Sequence, residues 1–266
     1  MLYIKKILQN PYFKDNILSC IKKCIKVALE QPIGKIEKKI DGSFVTSIDK
    51  KIDQVIRQDL SLSYPSIPII SEESHNNDNS FLQKFYWLID PIDGTSSFIK
   101  GHNGYTINIA LIYDGIAILG FIANPPTNSI WYGFEGNAYF SYNNTIKKIT
   151  TNNIKKDKFC RIVCSKSYDA NVEDFLKKIQ NVKIKYYSSS IKFCKIAEGK
   201  ANIYPRLHSI SKWDIAAGDA ILKSAGGILL DANGKIFKYD TATSKTGNFF
   251  ALSSKFLWNS TIYNIL

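Results

Sequence analysis

Apolar residues along this chain follow two rhythms, and the places where a rhythm breaks carry the chemistry. From Asn10-Pro11 onward, Ile17, Ile21, Cys24, Ile25, Ala28 and Leu29 recur at three- and four-residue spacing, which predicts a helix with one buried face. A second helix follows Ser47 and turns Ile48, Ile52, Val55 and Ile56 inward. Tyr86 to Ile89 is instead a short continuous apolar run, the pattern of a buried strand. Residues 106–113 and 116–122 flank Asp114-Gly115 and predict two strands joined by a tight hairpin. Residues 129–142 continue as β structure, with Gly133 and Gly136 at turns. Further on come a strand at Arg161 to Cys164, a helix from about Val172 and a strand near Lys183 to Tyr187. A helix at Ser189, another after Trp213, and strands near Ile228 and Phe250 complete the order. Alternating helices and strands predict an α/β fold. No Pro-, Gly- or Ser-rich linker divides the 266 residues, so a single domain is expected over 1–266, with halves at about 1–150 and 151–266.

The most informative break is Trp87-Leu88-Ile89-Asp90-Pro91-Ile92-Asp93-Gly94-Thr95. Asp90-Pro91 and Asp93-Gly94 are turn pairs that should end the strand and leave two acids at its carboxyl end. Pro91 has no N–H and a fixed φ, so the carboxylates and carbonyls of residues 90–93 can turn toward one centre. Hard divalent cations take such oxygens, and Mg²⁺ typically keeps open positions for water and phosphate. Gly94, Thr95 and the small residues after them offer backbone N–H groups to an anion. Two further acids sit at element ends. Glu72 follows the short apolar run Ile67 to Ile70, and Asp214 opens an amphipathic run that ends at Gly226-Gly227. Asp49, in the first turn of the second helix, is explained equally by charge-dipole capping.

Composition narrows the partners. Lys and Arg number 35 against 23 Asp and Glu, a net +12, but the lysines are dispersed and not interleaved with aromatics. Only 153–158 is a dense basic patch outside the N-terminus, so nucleic acid is not an expected partner, while a positive field would draw in a small anionic substrate. Arginine occurs only as Arg57, Arg161 and Arg206, which in a lysine-rich chain is read either as a task needing a planar, multidentate group, such as gripping phosphate, or as a surface salt bridge. Five scattered cysteines predict a reduced, cytoplasmic protein. No apolar segment approaches a membrane span, which leaves only peripheral attachment to an inner membrane face open. The histidines, His75, His102 and His208, have no metal-ligand spacing.

Together the acidic blocks resemble the lithium-sensitive, magnesium-dependent phosphatases of the inositol monophosphatase superfamily. Their pattern is an acid after a strand, Asp-Pro-apolar-Asp-Gly-Thr/Ser, then Trp-Asp, eleven residues and Gly-Gly. Here that is Glu72, Asp90 to Thr95, and Trp213-Asp214 to Gly226-Gly227, from about residue 41 to about 254. Within the superfamily, Phe98-Ile99-Lys100, Ser188 to Cys194 with Ala197-Glu198-Gly199, and Tyr204-Pro205-Arg206 resemble the 3′(2′),5′-bisphosphate nucleotidases, whose usual setting is sulfur assimilation. The resemblance implies a layered sugar-phosphatase fold and two or three Mg²⁺ ions held by Glu72, Asp90, the Ile92 carbonyl, Asp93 and Asp214. It implies that Asp49, Glu72 and Thr95 serve the attacking water. Substrate contacts would come from Asp93, Gly94, Thr95, Ser96, Ser189, Lys192, Arg206 and Asp214, in a monomer or homodimer. Ser96-Ser97 departs from the charged pair that often follows the Thr, and Lys166 matches too loosely to be included. Two other readings stay open: a phosphatase of inositol or another polyol on the same metal site, and a non-catalytic protein that keeps the fold.

Overall fold

The hairpin at Asp114-Gly115 forms as its sequence predicts, both residues taking positive φ (52° and 71°) as a two-residue primed turn requires. In this computed structural model the described residues are 7, 10–39, 42–74, 78–143, 145–151, 159–167 and 170–263. The basic stretch 153–158, His75 and residues 1–6 lie outside them. The hairpin strands β5 (Thr106–Tyr113) and β6 (Ile116–Asn124) occupy the middle of a seven-stranded sheet. On one side of them lie β4 (Phe85–Asp93) and β3 (Ile69–Ser71), on the other β7 (Ser129–Phe134), β8 (Asn137–Tyr142) and β9 (Thr145–Ile149). Within this sheet only the β3–β4 pairing is parallel. A five-stranded sheet is ordered β11 (Val182–Tyr186), β10 (Cys160–Cys164), β12 (Ile203–Arg206), β14 (Phe249–Leu252), β13 (Ile228–Asp231). A short ribbon pairs β1 (Ile36–Lys38) with β2 (Phe44–Thr46).

Strand periodicity sorts the side chains into three cores. Trp87, Ile89, Ile107, Ile109 and Leu111 point from the large sheet toward helices α1 (Phe13–Glu30) and α2 (Ser47–Ser63). Tyr86, Leu88, Ala110 and Ile112 point the other way, into a core shared with α5 (Ile191–Ala197), α6 (Trp213–Ser224) and the inner face of the small sheet. The outer face of the small sheet is covered by α4 (Ala170–Lys177) and the turn Trp258–Ile262. Helix pair, sheet, helix pair, sheet and helix thus follow one another, the layered α/β architecture expected. Among the described residues no helix is long and apolar enough to cross a membrane.

Four local expectations need correction. β4 does not stop at Ile89 but runs on to Asp93 with a register shift between Asp90 and Asp93. A bulge absorbs Pro91, which cannot donate to the ladder, and lets Ile92 stay buried. Leu29 is exposed, and in α2 the buried set includes Asp53 whereas Val55 is only half-buried. Gly133 lies inside β7 rather than at a turn, because like Gly120 on β6 it faces α6 at close range. The small residues Ala216, Ala217 and Ala220 bring that helix down on the sheet, and a Cβ at Gly120 would overlap the Ala217 carbonyl oxygen. Gly120→Ala is therefore expected to cost about 3 kcal/mol, lowering the melting temperature by roughly 6–12 °C. Thermal unfolding of the purified variant checks this.

Candidate active site

Alternation along β4 decides which acids can meet. With Tyr86 and Leu88 facing the inner core, the two-residue period sends Asp90 to the same side. There the first turn of α6 delivers Asp214, and the chain leaving β3 delivers Glu72, whose N–H donates to the Ile89 carbonyl (3.2 Å). Glu72, Asp90 and Asp214 each offer a carboxylate oxygen, and these atoms lie within 4.8 Å of one another. Neither oxygen of the buried Asp90 has a hydrogen-bond partner among the described residues. Burial, and after it the charges of Glu72, Asp93 and Asp214, hold the Asp90 carboxyl well above its ordinary value. Burial likewise raises Asp214, with Asp93 and Glu72 adding to it, although the Ser211 N–H donates to its Oδ2 (3.1 Å). Asp93 is pushed up to about 6 by burial, opposed by Lys192 and by the Ser190 N–H, which donates to its Oδ2 (2.8 Å). Clustered acids without cationic or donor partners are costly. Divalent metal is the group that fits them, since all the donors are hard oxygens and Asp90 holds both of its own uncommitted.

Asp49 lies on the far side of β4, in the first turn of α2, and does two jobs with its two oxygens. Oδ2 accepts from the Thr46 N–H (2.9 Å) and the Thr46 hydroxyl in a capping box. Oδ1 is left facing Thr95 Oγ1 at 3.2 Å, and the same hydroxyl lies 3.1 Å from the Ile92 carbonyl oxygen. Capping and a role in the site are therefore compatible. Burial raises the Asp49 carboxyl, which makes it a stronger proton acceptor than an exposed aspartate. Lys39 reaches the other edge, where its ammonium pairs with Glu72 (2.7 Å) and Glu73 (2.9 Å).

Glu72, Asp90, Ile92, Asp93, Gly94, Thr95, Ser96 and Asp214 line one cavity of about 380 Å³. A second, of about 290 Å³, shares Asp93, Gly94 and Asp214 and adds Ser189, Lys192 and Arg206. Of the predicted site residues, only Asp49 lines neither, and it reaches the first through Thr95. Lys192 is not an ordinary helix-surface lysine: it is 3 % exposed, with its ammonium 3.3 Å from the Tyr187 carbonyl oxygen and over the Tyr204 ring. Burial pushes it down to about 8, against the pull of Asp93. The buried Nε of Arg206 has no hydrogen-bond partner among the described residues. Arg57 instead pairs with Asp53, and Arg161 lies on β10.

Ser189, expected to contact substrate, lines the smaller cavity and also braces its floor. It takes positive φ (53°), and its hydroxyl lies 2.8 Å from the Asp93 carbonyl oxygen and 2.7 Å from that of Gly104. One proton is thus engaged between two carbonyls, strapping the bulge to the loop before α5. Gly94 is required beneath that strap: its φ is 91°, and a Cβ there would overlap the Ser189 hydroxyl.

A model of the inositol monophosphatase family matches residues 17–260. The chain belongs to that family. Over 207 residues it is 40% identical to the 3′(2′),5′-bisphosphate nucleotidase CysQ of Buchnera aphidicola subsp. Acyrthosiphon pisum, covering 77% of each chain. It is 35% identical over 218 residues to the CysQ nucleotidase of Escherichia coli K12, covering 81% of this chain and 87% of that one. The crystal structure of CysQ from Bacteroides thetaiotaomicron superposes with a TM-score of 0.77 at 27% identity, covering 91% of this chain and 98% of the other.

Several residues of this inositol monophosphatase family site were not legible in sequence. Lys166 lines the smaller cavity beside Lys192. Ser190 and Asn108 join Ser189 in fixing Asp93, Ser190 Oγ lying 2.7 Å from Asn108 Oδ1. Lys245 and Ser211, far from the acidic motifs in sequence, line the larger cavity. For Lys39 and Lys245 the only signal was a lysine among many, and for Lys166 a loose match to the family segment.

Proposed function

We propose that this inositol monophosphatase family member is a metal-dependent phosphomonoesterase that removes the 3′-phosphate of adenosine 3′,5′-bisphosphate to leave AMP, and acts in the same way on its 5′-phosphosulfate analogue. The observation that carries the proposal is the pair of joined cavities. One is lined by four acids of which, among the described residues, only Glu72 has an ion-pair partner, Lys39; the other is lined by Lys192, Arg206 and Lys166, and they meet at Asp93, Gly94 and Asp214. A substrate with two separated anionic groups fits that pairing better than a polyol bearing one. The nucleotidases named above supply the class of substrate.

Glu72, Asp90, the Ile92 carbonyl, Asp93 and Asp214 would hold two or three Mg²⁺ ions, which when bound offset the charge of the phosphate and acidify water beside it. The chain's own groups do the rest. Thr95 Oγ1 can donate to Asp49 Oδ1 and so present its lone pair to a proton of the attacking water. As that water adds to phosphorus, its proton passes by way of Thr95 to Asp49, whose raised basicity follows from burial. Meanwhile the bond from phosphorus to the 3′-oxygen breaks, and that oxygen takes a proton from solvent water to leave as the 3′-hydroxyl of AMP. Backbone N–H groups of Gly94, Thr95 and Ser96, which line the acidic cavity, would steady the phosphate, and Lys192 with Arg206 the second anion. The Ser189 strap fixes the carbonyl of Asp93, and Ser190 its carboxylate, which keeps the bulge in register for both cavities.

The test is phosphate release from adenosine 3′,5′-bisphosphate and from inositol 1-phosphate in parallel, with Mg²⁺, with chelator and with Li⁺. Strong preference for the nucleotide, lost with chelator and inhibited by lithium, is the expected outcome. Preference for the inositol ester would move the assignment to a polyol phosphatase, and release from neither would overturn the proposal.

A further inference from the structure

The acid-lined cavity has one cationic side chain in its wall among the described residues, Lys245, facing a lining that includes Glu72, Asp90, Asp93 and Asp214. Its only polar side-chain contact among the described residues is Ser211 Oγ, 3.1 Å from Nζ, and it makes no ion pair there with a carboxylate. The backbone on either side is pinned. Lys212 N–H donates to the Ser244 carbonyl (2.8 Å) and Thr246 N–H to that of Ile210 (2.8 Å), so Ser211 and Lys245 face each other as a bridge. Ser211 in turn donates its N–H to Asp214. Lys245 is thus an exposed ammonium, in ion-pair contact with no carboxylate among the described residues though its charge is felt at Asp214, delivered to the rim of the acidic cavity by a fixed backbone.

Charge balance gives that ammonium a purpose. Glu72, Glu73, Asp90, Asp93 and Asp214, less the Lys39 ammonium that pairs with the two glutamates, leave four negative charges; two divalent cations would offset these and leave the dianion of a phosphate monoester without a counter-charge. Lys192 and Arg206 line the other cavity, not this one. Lysine, a compact charge on a flexible stem, suits a group whose oxygens rearrange as it is hydrolysed and released.

We infer that Lys245 grips the phosphate being hydrolysed, and then the inorganic phosphate product, while Lys192 and Arg206 hold the phosphate that stays. The inference rests on the metal-phosphate reading above and extends it: affinity for inorganic phosphate belongs to Lys245, and selectivity for a bisphosphate belongs to the other cavity.

The experiment uses the full chain with Mg²⁺, comparing Lys245→Met, Lys245→Arg and Lys255→Met with wild type. Lys255 does not line the acidic cavity; it lines a neighbouring one, with Lys235 and Lys238, that Lys245 also borders, and its replacement makes the same change of net charge. Calorimetric binding of inorganic phosphate, its inhibition constant, and kcat/KM on a bisphosphate and a monophosphate are measured, with Mg²⁺ half-saturation. Lys245→Met should weaken phosphate binding about tenfold or more and lower kcat/KM for both substrates alike, with Mg²⁺ half-saturation unchanged. Lys245→Arg should recover most of the affinity, and Lys255→Met should behave as wild type. Unchanged phosphate affinity overturns the inference. So does an equal loss in Lys255→Met, which would show only net charge, or a shift confined to Mg²⁺, which would show Lys245 merely positioning Asp214. Phosphate binding is read without any organic substrate, so failure of the nucleotide assignment would leave this result distinct.

Discussion

Asp90→Asn is expected to lower hydrolysis by about 10³-fold or more while raising the melting temperature of the metal-free protein by about 5 °C. Both effects have one cause. Asp90 is buried, has no hydrogen-bond partner for either oxygen among the described residues, and sits among Glu72, Asp93 and Asp214. With a divalent cation present, that unmet charge becomes binding free energy for the metal. Without one, it strains the fold. An amide of the same shape removes the like-charge repulsion and most of the desolvation cost, but is a far poorer ligand for a hard cation.

The pH dependence of the metal-free protein should show the same charge. Asp93 rises from an ordinary value of 3.8 to about 6, and burial drives Asp90 and Asp214 the same way. Raised folded-state values mean that, between the unfolded and folded pKa, the folded chain carries more protons than the unfolded one. Stability from these groups is therefore present at low pH and is lost as pH rises through that window, from about 4 to 6 and above. In Asp90→Asn the decline should be shallower, and added Mg²⁺ should stabilise wild type far more than the variant. Thermal melts across that range, with and without Mg²⁺, check all of it. A variant that melts lower than wild type without metal would mean that Asp90 holds the fold together through partners not seen in this geometry.

How much of this was legible in the sequence depended on whether a residue's meaning is local. The Asp90 to Thr95 string could be read because the turn, the acids and the small residues are contiguous, and Asp214 because it opens a helix that its own apolar pattern defines. Even there the outcome differed in kind. A proline and two turn pairs looked like the end of a strand, but partners Asn108 and Thr106 on β5 keep the chain in the sheet, so the interruption became a bulge. Asp49 could not be decided locally, since capping accounts for one oxygen and only the approach of Thr95 gives the other its use. Lys245 was beyond reach in a different way, and Lys192 was reached only through the family resemblance, its burial unforeseen. A lysine says nothing about burial in a chain so rich in it, and Lys245 reaches the acids only because Ser244 and Thr246 pair with Lys212 and Ile210. Glycine misled for a related reason: Gly133 has the composition of a turn, whereas its task is to admit a helix from a distant part of the chain.

Arg206→Ala should raise KM for adenosine 3′,5′-bisphosphate by between about tenfold and a hundredfold, and leave KM for a monophosphate of similar size nearly unchanged. The guanidinium lines the cavity beside the acidic one, and its buried Nε lacks a hydrogen-bond partner among the described residues, so a donor already removed from water awaits an acceptor. Arg206→Lys should recover little, because lysine retains the charge but not a donor at the position of Nε. Lys192 shares the anion, so its replacement and that of Arg206 should not add independently. Its ammonium, held down near 8 by burial, also gives wild type a signature: KM for the bisphosphate should climb as pH passes about 8, with the monophosphate unaffected. That slope should flatten in Lys192→Met. If Arg206→Ala instead weakens both substrates equally, the residue is shaping the wall of a general phosphatase site. The second cavity would then no longer support a nucleotide bearing two phosphates.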